Sequence, residues 1–202
     1  VTDVIRRSLA GLLLALLAAC TSTPVIEPGS PLRPMAEVRQ WELSARISIT
    51  RGEEGWHAAL QWREQNGQYR LQVSGPLGQG AFELTGSAGR VVLRDAQGRT
   101  LAAPDAESLL LQAIGWQLPV DGLRFWVRGL PAPAPAGEAR AVRDTAGRLV
   151  RLAQDGWDIR YDRYRLQDGY AWPGRLKLAR NDITVRLVID SWRPDLPAGV
   201  PP

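Results

Sequence analysis

A chain of 202 residues fits one domain of ordinary size with appendages and leaves no room for two large lobes. Its 25 Lys and Arg face 21 Asp and Glu for a net charge of only +4, and the cations are interleaved with acids rather than gathered in a stripe, so nucleic acid is not an expected partner. A single Cys and a single His exclude an intramolecular disulfide and a structural zinc site, which takes about four such ligands, and leave His57 as the one histidine able to activate a nucleophile. Lys177 is the sole lysine, an Arg bias that reads as a coding preference rather than a binding device. No metal and no cofactor is expected.

Arg6 and Arg7 precede an apolar stretch from Leu9 to Ala19, the charged and apolar regions of a bacterial secretion signal. That stretch falls well short of the about 20 residues a spanning helix needs. It ends in Leu17-Ala18-Ala19-Cys20, which resembles a lipobox, and the Cys there is the only one in the chain. The expectation is a signal peptide over residues 1–19 and a lipid anchor at Cys20. Thr21 and Ser22 follow, with no Asp beside the anchor, which by resemblance to lipoprotein sorting signals favours the outer membrane. Residues 20–34 hold four Pro and no apolar period, as a flexible tether would. The folded body is expected over 35–194, opening with a short lead-in helix from Met35 to Gln40, and 195–202 reads as a tail.

In the body, apolar and polar residues alternate in short runs separated by Gly, Asn and Asp, the mark of antiparallel strands. Trp41, Leu43, Ala45, Ile47 and Ile49 share one face of the first run, with Glu42, Ser44, Arg46, Ser48 and Thr50 on the other. Trp56, Ala58, Leu60 and Trp62 repeat the pattern after a turn at Arg51 to Gly55, and Tyr69, Leu71 and Val73 follow the Asn66-Gly67 turn. Further runs centre on Phe82 and Leu84, Val91 to Leu93, Leu149 to Leu152, Trp157 to Tyr161, Leu176 and Leu178, and Val185 to Ile189. Nine or more strands are implied.

The period changes in mid-chain. Leu109, Leu110, Ala113 and Ile114 recur at helical spacing, with Asp105 placed to cap a helix over 106–114 and Gly115 placed to stop it. A second short helix is expected from Asp121, carrying Leu123, Trp126 and Val127 towards Gly129. Helices packed on a curved sheet close one face of a pocket. Of the eight Trp, Trp41, Trp56, Trp62 and Trp157 fall on the apolar side of their strands. Parity does not separate rings that line a hollow from rings that fill a core. Between Gly75-Pro76 and Gly78-Gln79-Gly80 stands one large aliphatic residue, Leu77, at a loop tip stiffened by turn formers. It either folds back on the sheet or dips into lipid, where one Leu is worth roughly 1.5 to 3 kcal/mol, too little to anchor a protein.

Landmarks in order, from the lipobox at Cys20 through Trp62 with Gln65 to Leu71, Gly75-Pro76-Leu77-Gly78, Leu118-Pro119-Val120, Leu123 to Pro131, Gln154 to Trp157 and Asp190-Ser191-Trp192, resemble the LolB family of outer-membrane lipoprotein-sorting receptors. The resemblance implies an incomplete, half-open antiparallel β-barrel with a helical lid enclosing an apolar cavity, and no catalytic residue. It implies a receptor that accepts lipoproteins from the periplasmic carrier LolA and inserts them into the inner leaflet of the outer membrane, acting as a monomer with acyl chains as cargo. On this reading Trp41, Trp56, Trp62, Trp126, Trp157 and Tyr161 line the acyl-chain cavity, and Pro76, Leu77 and Gly78 form the membrane-insertion loop. Arg46 and Arg70 on polar strand faces could meet an acidic rim on the carrier. Two rivals stand beside it: an envelope scaffold with a solid interior, and a hydrolase, for which only His57 and scattered carboxylates are at hand.

Overall fold

The computed structural model describes residues 32–194 apart from Gln79 and Ala88, and at Leu77 the backbone alone. Cys20, the residues assigned to the signal peptide, most of the tether and the 195–202 tail lie outside the described residues. Leu32 onward forms one compact unit that contains every described strand and helix and the whole buried cluster.

Alternation builds the sheet. β1 (Gln40–Arg51) buries Trp41, Leu43, Ala45, Ile47 and Ile49, and β2 (Glu54–Gln65) buries Ala58, Leu60 and Trp62, with Ile47 paired to Ala58 and Leu43 to Trp62. β3 (Gln68–Ser74), β4 (Phe82–Ser87), β5 (Arg90–Asp95) and β6 (Thr100–Ala103) follow as a meander. The chain then forms α1 (Ala106–Ile114) and α2 (Val120–Trp126) before β7 (Arg140–Arg143), β8 (Leu149–Gln154), β9 (Trp157–Gln167), β10 (Tyr170–Arg180) and β11 (Ile183–Pro194). β11 returns to pair with β1, giving one eleven-stranded sheet in the order β6-β5-β4-β3-β2-β1-β11-β10-β9-β8-β7 with all neighbours antiparallel. β6 and β7 stand at opposite ends of that order, so the sheet curls without closing, and the helices that join them pack with the buried faces of the strands.

The turns follow local chemistry. Asn66-Gly67, Asp155-Gly156 and Asp168-Gly169 have positive φ at both central residues, the type I′ geometry that matches strand twist. Two other hairpins share one design. Asp95 accepts from the backbone of Gln97 and Arg99 and pairs with the Arg99 side chain, and Asp144 does the same with Ala146 and Arg148. The lead-in is a single 3-10 turn, Met35–Glu37, rather than a helix to Gln40, because β1 already begins there. Arg33, expected in the tether, is docked: its N–H donates to Gly169 O at 2.9 Å and its guanidinium lies 4.4 Å from the Tyr170 ring centroid.

α1 has the bounds its sequence implies. Asp105 Oδ1 accepts from Ser108 N at 2.8 Å, and Gly115 ends the helix at φ +77. α2 starts one residue ahead of Asp121 and buries Val120, Leu123 and Trp126. Gly122 sits inside it because the Trp126 ring lies where a Cβ would be, 2.6 Å away. On β4, Gly86 likewise makes room for its cross-strand partner Tyr69.

Candidate functional site

At the end of the sheet where β1 begins, the interior is filled by rings. Trp41 meets Trp62 at 5.4 Å and Trp192 at 5.5 Å between centroids, and Trp172 meets Trp192 at 4.6 Å and Tyr170 at 5.7 Å. Each such contact contributes about 0.5–1.5 kcal/mol beyond area burial. The wall is apolar but carries orphan donors: Trp41, Trp62 and Trp157 Nε1 and Tyr69 Oη are buried without a hydrogen-bond partner among the described residues. An unpaired buried donor costs about 1–3 kcal/mol.

α2 is fastened over this end by polar contacts. Arg124 makes a two-pronged bond to the buried Glu64 carboxylate, donates to Gly67 O at 3.0 Å and lies 5.0 Å from the Tyr69 ring centroid. Arg128 donates to Val38 O at 2.7 Å and Arg124 O at 3.0 Å. Burial opposes the Arg124 charge, but Glu64 outweighs it and raises the guanidinium above its ordinary value; Arg128 is lowered by burial. Beyond α2, the buried Gln154 accepts from Trp126 Nε1 at 3.0 Å and Ala132 N at 2.9 Å and donates to Ala132 O at 2.8 Å, and Tyr161 Oη donates to Trp126 O at 3.0 Å.

α1 is held differently. Its Ala106, Leu109 and Leu110 are buried, while Leu111 is exposed, and its one ion pair joins Glu107 to Arg180 at 3.7 Å. Between α1 and the β4–β6 flank opens a cleft of about 540 Å³, whose apolar walls are Phe82, Leu93, Leu101, Ala113 and Ile114. Gly78, Gly80 and Ala81, from the loop between β3 and β4, form its lip, and Asp95, Gln97, Arg99 and Gln112 its polar rim. The volume lies within the range of ordinary ligand pockets, about 300–1,000 Å³. A second cleft of about 430 Å³ lies against α2 and the 132–136 loop, edged by Asp105, Glu107, Asp121 and Asp155. The loop carries a 3-10 turn at Pro76–Gly78, with Gly78 N bonded to Gly75 O at 3.0 Å.

The residues that build the open sheet, its two inserted helices and the cleft fall within one family match: residues 39–192 of the 202 fit the family model described as Outer membrane lipoprotein LolB. The chain belongs to the LolB family. It is 40% identical to the Outer-membrane lipoprotein LolB of Pseudomonas paraeruginosa, an alignment covering 94% of this chain and 97% of the relative. It is 37% identical to that of Nitrosococcus oceani, over 93% and 97%. Among solved structures, the fold is similar to that of a LolA-superfamily protein from Nitrosomonas europaea (TM-score 0.53, 10% identity, 80% of this chain and 89% of that one). It also resembles a putative outer membrane lipoprotein-sorting protein domain from Vibrio parahaemolyticus (TM-score 0.55, 11% identity, 80% and 87%). At that identity the likeness speaks of fold alone.

Within this LolB-family fold, the side chains singled out from sequence do not form one lining. Trp41 and Trp62 lie in the ring cluster, Trp126 and Tyr161 are joined through the Trp126 carbonyl, Trp157 is buried on β9 beneath Arg180, and Trp56 is partly buried at the start of β2. The open space is bounded instead by Phe82, Leu93 and Ile114, which the sequence places in strands and a helix without giving them a role, and by Leu101, on a strand the sequence does not mark. Pro76 and Gly78 are in the loop as expected; Cys20 and the Leu77 side chain lie outside what is described. Arg46 and Arg70 each have a partner within the sheet, Asp190 at 2.8 Å and Glu83 at 3.5 Å. His57 is exposed on the outward face of β2. Among the described residues no helix is long and apolar enough to cross a membrane, and no cluster of three or more His, Cys, Asp or Glu could hold a metal ion.

Proposed function

We propose that this chain localises lipoproteins: held at the periplasmic face of the outer membrane by lipid on Cys20, it accepts acylated cargo from the soluble carrier LolA and passes it to the inner leaflet, without catalysis. The observation that carries this reading is the apolar cleft beneath α1, continuous with the Pro76–Gly78 loop, in a member of the LolB family. Exposing a C16 chain to water costs on the order of 12 kcal/mol at about 0.8 kcal/mol per CH₂. A hand-off between apolar hosts avoids that cost, and a net direction then needs only about 1.4 kcal/mol for each tenfold of affinity.

The space present holds a small ligand rather than a set of acyl chains, so acceptance requires α1 to move off the β4–β6 flank and the interior to widen towards Trp157, Trp126 and Tyr161. The orphan Trp157 indole donor would then meet an ester carbonyl of the cargo. The test mixes the body from Leu32 to Pro202 with carrier loaded with a lipoprotein: cargo moves to the body, and a well-folded body that accepts none rules the reading out. Leu77→Glu should leave acceptance intact and cut delivery into liposomes by about tenfold, the equivalent of about 1.4 kcal/mol; unchanged delivery would remove Leu77 from the mechanism. The interlocked Trp41, Trp62, Trp172 and Trp192 rings favour a second reading, a scaffold that binds other envelope proteins on its surface, and this is the one left standing if transfer fails.

A further inference from the structure

The outward face of β8 to β11 and β1 carries an arrangement that cargo transfer does not use. Register sets Arg151 opposite Arg160, Arg160 opposite Lys177, Lys177 opposite Arg186, and Arg186 opposite Ser48, which faces His57. Four cations thus stand side by side across four adjacent strands. The next row sets Arg163 opposite Arg175, then Val188 and Arg46. Like charges directly opposite one another destabilise a sheet, so this ladder has a cost to the fold.

Neutralisation reaches the β8 and β9 cations of the first row and the β1 end of the second. Asp158 pairs with Arg151 at 2.6 Å and Arg160 at 3.4 Å, which holds its carboxyl below the usual range, and Asp190 pairs with Arg46 at 2.8 Å. Asp162 is a further exposed acid on β9. Among the described residues Arg163, Arg175, Lys177 and Arg186 make no ion pair, and all four are exposed.

We propose that this face docks the body on anionic phospholipid headgroups. The proposal rests on the membrane-attached reading above and adds the surface and the pose. The two rows contain no Trp, Tyr or Phe, so their Arg residues lack the aromatic anchors beside which a protein interface buries its arginines. A lipid surface asks only for cations in reach of phosphate, and long exposed side chains on a rigid sheet supply them. The opposite faces of these strands pack into the core with the helices.

Flotation with vesicles tests this, using the body from Leu32 to Pro202, which holds the complete sheet and core. It should float with phosphatidylcholine vesicles containing about 30 mol% phosphatidylglycerol and not with phosphatidylcholine alone. Raising salt from about 50 to about 500 mM should release it. Lys177→Glu with Arg186→Glu should weaken binding by at least about tenfold, whereas Arg90→Glu with Arg94→Glu on β5, the same change in charge, should leave it within about twofold. Lys177→Glu sets an acid opposite Arg160, while positions 177 and 186 still face each other with like charge, so one like-charge pair is relieved and none is added; the thermal midpoint should hold, which separates lost binding from lost folding. Equal flotation with neutral vesicles, equal loss in both double variants, or no loss in the first overturns the proposal; so does a first variant that keeps vesicle binding but no longer captures the carrier, which would make the face a protein contact. Cargo acceptance from carrier in solution involves no vesicle, so a body that accepts cargo yet ignores phosphatidylglycerol refutes the docking face alone.

Discussion

The two helices lie over the same sheet and are held by different physics. α2 is tied by directional, largely buried polar contacts: Arg124 to Glu64, Arg128 to Val38, Trp126 to Gln154 and Tyr161 to Trp126. α1 rests on Ala106, Leu109 and Leu110, an exposed cap and one long ion pair, above a cleft. Apolar packing tolerates sliding, whereas a buried carboxylate held by two guanidinium nitrogens does not. α2 is therefore the fixed part of the cover and α1 the part that can yield, the division on which the proposed transfer relies.

The largest test of this contrast is Glu64→Ala, which leaves Arg124 buried without its counterion. It should lower global stability by about 3 kcal/mol in denaturant titration, and a loss below about 1 kcal/mol would show that the clamp is ornamental. Gln154→Ala strips partners from Trp126 Nε1 and from both backbone groups of Ala132, and should cost about 2 kcal/mol. Asp105→Ala removes only the α1 cap, at about 1 kcal/mol; hydrogen exchange should quicken in α1 and stay unchanged in α2, and equal quickening in both would merge the two regions into one unit.

A further test of the contrast is alkaline. Burial, the largest cause, raises the Tyr69, Tyr161 and Tyr164 hydroxyls above the usual tyrosine value, and Tyr161 and Tyr164 donate to Trp126 O on α2 and Leu149 O on β8. Their folded-state values exceed the unfolded value of about 10, so their contribution is complete below that pH and is lost as pH rises through the folded values. Above about pH 10, exchange in α2 and β9 should rise before exchange in α1.

Most of the fold was legible because its signals are local. Period-two alternation marks nine strands, Asp105 and Gly115 bound α1 to the residue, and Asn66-Gly67 sets a hairpin. The two strands without a sequence signal, β6 and β7, are four residues each and almost wholly exposed, so no burial pattern marks them; they are also the two edges that leave the barrel open. The repeated Asp-x-x-Gly-Arg segments at 95–99 and 144–148 carry the same kind of local signal, each Asp paired with the Arg of its own hairpin.

The chain by itself determined which faces are apolar, where the helices interrupt the sheet and, through ordered motifs, which family it belongs to. Only the tertiary structure decided which inward rings touch each other and which border open space, because parity assigns a face and says nothing of the distance across it. The same holds for the outward ladder: Arg151, Arg160, Lys177 and Arg186 are scattered along 36 positions of sequence and become neighbours only when β8 to β11 pair in register.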